Sequence, residues 1–388
     1  MKSTSSPSKR LAETCLPQPS MFKSRWEGGT LAAPPPQHTR MKEGMENRRN
    51  KPITLKELSA RLGVHVSTVS RVLNGSQDSA ALAASPETVQ RIRQLAAELN
   101  YRPNPHATSL KTQRSQVIGV LVPRLSDLVL ATIYEGIDEA ATNNRVFTFV
   151  FNTNDSLENQ RERGEMALAR RVDGLIIGDA HMTSDNRFLQ DIAKRGIPFV
   201  LVSRHAGDYC AVTCDDYQGG RLAAQYFLEQ GHTRLAVIAG ETFASTGLDR
   251  TAGFVERCRE AGIRIPPEWI LNSHFDAPAG YESGMKLLSE STPPTAIFAV
   301  NDFLAIGLMG AARAHGLTPG RDIAIIGFND TPLASQLPIP LSSVRSPMHE
   351  MGYRSVELLL KLMEGKTVES EKLAPSLIVR DSAQYHHP

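Results

Sequence analysis

From residue 116 onward one pattern dominates the chain. Short apolar runs, "QVIGVLVP", "VFTFVF", "DGLIIG", "PFVLVS", "RLAVIAG", "TAIFAV" and "DIAIIGF", are separated by amphipathic segments of helical length. The runs are rich in Val, Ile and Phe. Their apolar residues are consecutive rather than alternating, as in a strand buried on both faces. Continuous strands alternating with helices make parallel sheets covered on both sides. Six or more such units over about 270 residues suit two doubly wound subdomains better than one sheet. In such folds a ligand binds beyond the carboxyl ends of the strands.

The front of the chain is organised differently. Residues 1–50 are rich in Pro, Ser and Lys/Arg, show no periodicity, and are expected to be a disordered basic tail. Residues 51–103 hold three short helical patterns. "ITLKELSARLG" puts Leu55, Leu58 and Leu62 on one face, with Thr54 as N-cap and Gly63 as the turn that ends the helix. "SPETVQRIRQLAAELNY" opens with Ser85 as N-cap and Pro86 at the first helical position. Its Val89, Ile92, Leu95, Ala96 and Leu99 repeat at helical spacing.

Between these two lies "GVHVSTVSRVLNG", residues 63–75. Two helices joined by a tight turn at Gly63 are the sequence form of a helix-turn-helix. Val69, Val72 and Leu73 can pack on the flanking helices, which turns Ser67, Thr68, Ser70 and Arg71 outward. Hydroxyls there can bond phosphates, and an arginine can fork onto the O6 and N7 of guanine. Charge points the same way. Residues 1–50 carry nine Lys/Arg against four Asp/Glu, residues 51–116 nine against four, and residues 117–388 25 against 33. A basic front on an acidic body suits a polyanion partner for the front alone. On these features alone a solvated helical hairpin remains the alternative.

Taken together, the chain resembles the lactose-repressor/galactose-repressor (LacI/GalR) family of bacterial transcription regulators over about residues 52–382. The likeness rests on "TLKELSARLGV", "STVSRVLNG", "LNYRPNPHATSLKTQRSQVIGVLVP", "RRVDGLIIG", "GHTRLAVIAG", "DRTAGF", "AIFAVNDFLAIGLMGAA" and "DIAIIGFNDTPLASQLPIPLSSV". It implies an all-α helix-turn-helix head over residues 51–103 and a hinge helix over 104–115. It also implies an α/β core over 116–388, shaped like periplasmic binding proteins. The chain would cross between the core subdomains three times, giving one of about 116–213 with 344–373 and another of about 214–343 with 374–388. Family members act as dimers on palindromic double-stranded operators, under the control of a small effector.

By position, the resemblance places Val66, Ser67 and Arg71 at bases, and Thr54, Thr68, Ser70 and Asn74 at phosphates. His65 stands where the family usually has Ser or Thr at the start of the recognition helix. It is a poorer cap but within reach of a phosphate or base edge. Leu110 holds the position of the leucine that wedges into the minor groove, and Lys111 follows it. Thr108 replaces a common hinge arginine. Thr246, Arg250, Phe275 and Asp302 match effector-lining positions. Arg124 and Arg204 sit at the ends of apparent strands, and Val129 and Leu130 lie where many relatives carry aromatic residues. "PRLSDLVLATIYEGID" looks most like the gluconate-repressor branch. Three arginines around one cleft favour a sugar acid, with a neutral sugar close behind. An ion pair between Arg250 and Asp302 is the structural alternative.

Rival classes find little support. There is no Walker A loop, no GxGxxG opening a helix, no HExxH and no GxSxG, so an enzyme is not expected. The eleven histidines show no metal spacing, so neither metal nor cofactor is expected. A sugar receptor without a DNA role would suit the core but not the head. Cys15, Cys210, Cys214 and Cys258 form no CxxC pair. No apolar leader or spanning run appears, so a cytoplasmic protein without membrane contact is expected.

Overall fold

The computed structural model describes residues 53–74, 77–102, 114–183 and 186–384. The expected tail over 1–50 and hinge residues 104–113 lie outside the described residues. The chain divides into two units at the boundary between Pro103 and Asn104.

The first unit is helical: α1 (Leu55–Leu62), α2 (Val66–Asn74), α3 (Gln77–Ala83) and α4 (Pro86–Glu98). Thr54 and Glu57 cap α1 reciprocally. The Glu57 amide donates to Thr54 Oγ1 at 3.3 Å, and the Thr54 amide donates to the Glu57 carboxylate at 2.8 Å. Gly63 ends α1 in the left-handed region at φ 66°. Leu58, Val69, Val72, Ala80, Ile92 and Ala96 are buried together, ringed by Leu55, Leu62, Val64, Val89, Leu95 and Leu99. α3 is a fourth helix where the sequence pattern shows three. Its alanines lose almost no side-chain freedom in a helix, and Ala80 enters the core. Seven residues are too few to display a helical stripe.

Among the described residues the second unit has twelve strands: β1 (Val117–Val122), β2 (Phe147–Asn152), β3 (Gly174–Ile177), β4 (Phe199–Val202), β5 (Ala211–Cys214), β6 (Leu235–Ala239), β7 (Ile270–Asn272), β8 (Ala296–Ala299), β9 (Ala324–Asn329), β10 (Ser342–Arg345), β11 (Glu371–Leu373) and β12 (Ser376–Ile378). Its helices are α5 (Leu128–Asn143), α6 (Leu157–Ala169), α7 (Arg187–Lys194), α8 (Asp216–Glu229), α9 (Ser245–Glu260), α10 (Ala277–Leu288), α11 (Asp302–Ala314) and α12 (Met348–Met363). The strands form two six-stranded sheets, β11-β5-β4-β3-β1-β2 and β12-β10-β9-β8-β6-β7. The first is parallel throughout. In the second, β12 runs antiparallel to β10 and the rest are parallel. The chain passes between sheets three times: after β5, after β10 and after β11.

Helices pack in pairs through glycine. A Cβ on Gly220 of α8 would stand 2.0 Å from the Arg250 carbonyl oxygen, and one on Gly253 of α9 1.9 Å from that of Tyr217. The same reciprocal contact joins α5 to α12 through Gly136 and Gly352, and α10 to α11 through Gly280 and Gly307. The α8–α9 contact sets the height of Arg250 against the second sheet.

Candidate functional site

The first candidate site is the exposed face of α2. Val69 and Val72 face the core, while His65, Val66, Ser67, Arg71 and Asn74 are exposed and Thr68 and Ser70 half-buried. His65 supplies the cap that its residue type made doubtful. Its Nδ1 lies 2.7 Å from Ser67 Oγ and accepts from the Ser67 amide at 3.3 Å. Asn74 Nδ2 reaches Ser70 Oγ at 3.4 Å, on the same face as Arg71. Thr54 caps α1 and is itself exposed. Leu110 and Lys111 lie outside the described residues.

The second site is a cleft of about 380 Å³ in the second unit, at the carboxyl ends of both sheets. Part of its polar lining comes from residues that cap helices. Asp127 caps α5 through the Val129 amide at 2.9 Å, Asp276 caps α10 through that of Ala279 at 2.9 Å, and Asn301 caps α11 through that of Leu304 at 2.7 Å. A strand that runs straight into a helix must place its capping side chain where the strand ends, which is where the cleft lies. Arg124, Arg204, Thr246, Arg250 and Phe275 all line it, with Val129 and Leu130.

Two of the three arginines are already engaged. Arg204 forks onto Asp155, Nη1 to Oδ1 at 2.7 Å and Nη2 to Oδ2 at 2.9 Å. Its guanidinium lies 5.8 Å from the Phe243 ring centre and 5.9 Å from that of Phe275. His181 also bonds Asp155, at 3.1 Å. Burial alone would raise the Asp155 carboxyl, but His181 and Arg204 hold it well below the usual carboxylate range. Arg250 donates from Nε to Asp216 at 2.7 Å and from Nη1 to the Val300 carbonyl at 2.8 Å, with Phe328 3.7 Å beneath. Burial pushes Asp216 up to about 6, against the pull of Arg250. Arg124 is exposed and makes no side-chain ion pair among the described residues.

Asp302 is a correction. It is 1% exposed and does not line the cleft. Its carboxylate turns toward the 331–343 segment, accepting from the Thr331 amide and hydroxyl at 2.7 and 2.9 Å and from Ser343 Oγ at 2.6 Å. It does not pair with Arg250. The neighbouring Asn301 lines the cleft instead, as do Phe243 and Asn329, which sequence reasoning missed. Asn329 is 4% exposed, at φ 102°, with Oδ1 unpartnered.

Residues 54–104 match the model of the bacterial regulatory proteins, lacI family, and residues 224–383 match a periplasmic binding protein-like domain. The chain is 31% identical over 336 residues to the HTH-type transcriptional repressor PurR of Pasteurella multocida, across 85% of this chain and 98% of that protein. It belongs to the lacI family of bacterial regulatory proteins. A second relative, the ribose operon repressor of Haemophilus influenzae, is 30% identical over 334 residues, with 85% and 98% covered. Among solved structures, the lac repressor dimer bound to operator and the anti-inducer ONPF superposes with a TM-score of 0.77 at 27% identity, across 87% of this chain and 100% of that one. The CelR–cellobiose complex gives 0.64 at 28% identity, across 85% and 99%. This lacI-family member is thus a helix-turn-helix transcriptional regulator with an effector-binding core.

Proposed function

We propose that this lacI-family protein is a repressor that acts as a homodimer on a palindromic operator, and that a neutral sugar in the cleft controls its hold on DNA. On the DNA side, Val66, Ser67 and Arg71 read bases, while Thr54, His65, Thr68, Ser70 and Asn74 position the head on phosphates. Leu110 and Lys111 serve the minor groove and the backbone next to it. The protein works in the bacterial cytoplasm, on the nucleoid. A second copy fits the edge of the first sheet, where β2 exposes Phe147 at 73% and Phe149 at 52%.

The choice of effector rests on one observation: Arg204 and Arg250 are neutralised by Asp155 and Asp216. The lining also carries Asp127, Asp276 and Glu241 against the unpaired Arg124. A cleft with that balance repels an anion more than three bare arginines would. Its carboxylates, amides and the Phe243 and Phe275 faces suit the hydroxyls and ring of a neutral sugar. Arg124 favours the second reading, a sugar acid of the gluconate kind. Calorimetry with matched aldoses and aldonates separates them. The neutral partner should bind about tenfold tighter or more, and tighter binding of the acid, lost in Arg124→Ala, would establish the second reading.

A further inference from the structure

Besides the Arg204 guanidinium against Phe243 and Phe275, four contacts among the described residues join the sheet halves of the core beside the cleft. The His205 imidazole, just after β4 of the first sheet, bonds Asp249 of α9 through Nε2 at 2.8 Å. The His205 amide donates to Ser245 Oγ at 3.0 Å. The Met182 amide donates to the Phe243 carbonyl at 2.8 Å. His181 stacks on Phe243 with ring centres 4.0 Å apart. Residues 181–205 belong to the half built on the first sheet, and residues 243–249 follow β6 of the second. Of the four, the His205–Asp249 contact is the one that bonds an imidazole to a carboxylate.

We propose that His205 and Asp249 form a pH-responsive latch that holds the two halves closed over the cleft. Both side chains are about one-third exposed, 34% and 36%, so the pair stays in exchange with water. Three charged groups face the imidazole: Asp249 on α9, Lys372 on β11 and Asp216 on α8. Asp249 bonds it directly, Lys372 opposes, and Asp216 is already committed to Arg250. The bond from Asp249 outweighs burial and holds the imidazole above its ordinary value of 6.5.

The latched state therefore binds a proton more tightly than the open one. The latch is at full strength below 6.5 and is lost as pH rises through the latched value. A ligand gripped by Arg124 and Arg204 from one half, and by Thr246 and Phe275 from the other, then binds more tightly as pH falls. That last step rests on the cleft being the effector site; the latch does not.

Native-state hydrogen exchange on the full-length, ligand-free protein between about pH 5.5 and 8.5 tests it without any ligand. The Met182 and His205 amides report closure, and the Ile238 amide inside β6 reports global stability. After correction for intrinsic exchange, protection at Met182 and His205 should fall about two- to fivefold as pH rises, the scale of a half-exposed ion pair. It should stay level in both His205→Gln and Asp249→Asn, with Ile238 unchanged. A level profile in the wild type, or the same fall in the two variants, would overturn the latch.

Discussion

Arg250 is held from three directions, by the Asp216 carboxylate, the Val300 carbonyl and the Phe328 ring. Removing it strands a buried charge. Arg250→Met should cost about 3–5 kcal/mol in urea denaturation at neutral pH, and adding Asp216→Asn should restore most of the loss. Asp302 makes a separate prediction. Burial raises it from 3.8 to about 6, against the bonds from Ser343 and Thr331. Its folded value lies above its unfolded one, so its contribution is fully present below 3.8 and is lost as pH rises through about 6. That difference corresponds to about 3 kcal/mol. An asparagine there can still accept from Thr331 and can donate to a rotated Ser343 hydroxyl. Denaturation of Asp302→Asn across that range should therefore show a flatter profile than wild type. The arginines of this site were legible in the sequence, but their partners were not. Asp155 lies 49 residues before Arg204, and Asp216 34 before Arg250, spacings that only the fold brings together. Asn301 and Asn329 look like ordinary turn and capping residues until the cleft forms around them.

Among elements, glycine separates close packing from backbone freedom. Gly220→Ala would drive a methyl group to 2.0 Å from the Arg250 carbonyl. The helices must part, at about 3 kcal/mol or more, and ligand affinity should fall with the displaced Arg250. Gly63→Ala meets nothing within 4 Å, and its cost is only the left-handed φ of 66°, about 1–2 kcal/mol. Thermal unfolding of the two variants should show that order. The same distinction explains which elements could be read in advance. β1, β3, β4, β6, β8 and β9 are apolar runs and were visible as strands; β2 was visible too, but as an edge strand it exposes Phe147 and Phe149 instead of burying both faces. β5 is no shorter than β3, β4 or β8 but is broken by Thr213, β10 buries Ser342 and Ser343 beside Val344, and β7, β11 and β12 have three residues each. Those strands exist because a neighbour supplies hydrogen bonds, a cause that no local pattern displays.

At the scale of the whole molecule, the proposed function gives two surfaces a partner each. Phe147→Asp with Phe149→Asp places charge on the exposed edge of the first sheet. Sedimentation should show the wild type as a dimer and this variant shifted toward monomer, with operator affinity falling in step. The central claim is that the exposed face of α2 reads DNA sequence, and selection of DNA from a random pool by the full-length protein tests it most directly. The wild type should enrich a palindrome, and Arg71→Ala should lose preference at one base pair in each half-site, weakening binding by about 1–3 kcal/mol per half-site. Enrichment of no sequence, or of the same palindrome with the same affinity by Arg71→Ala, would contradict the account.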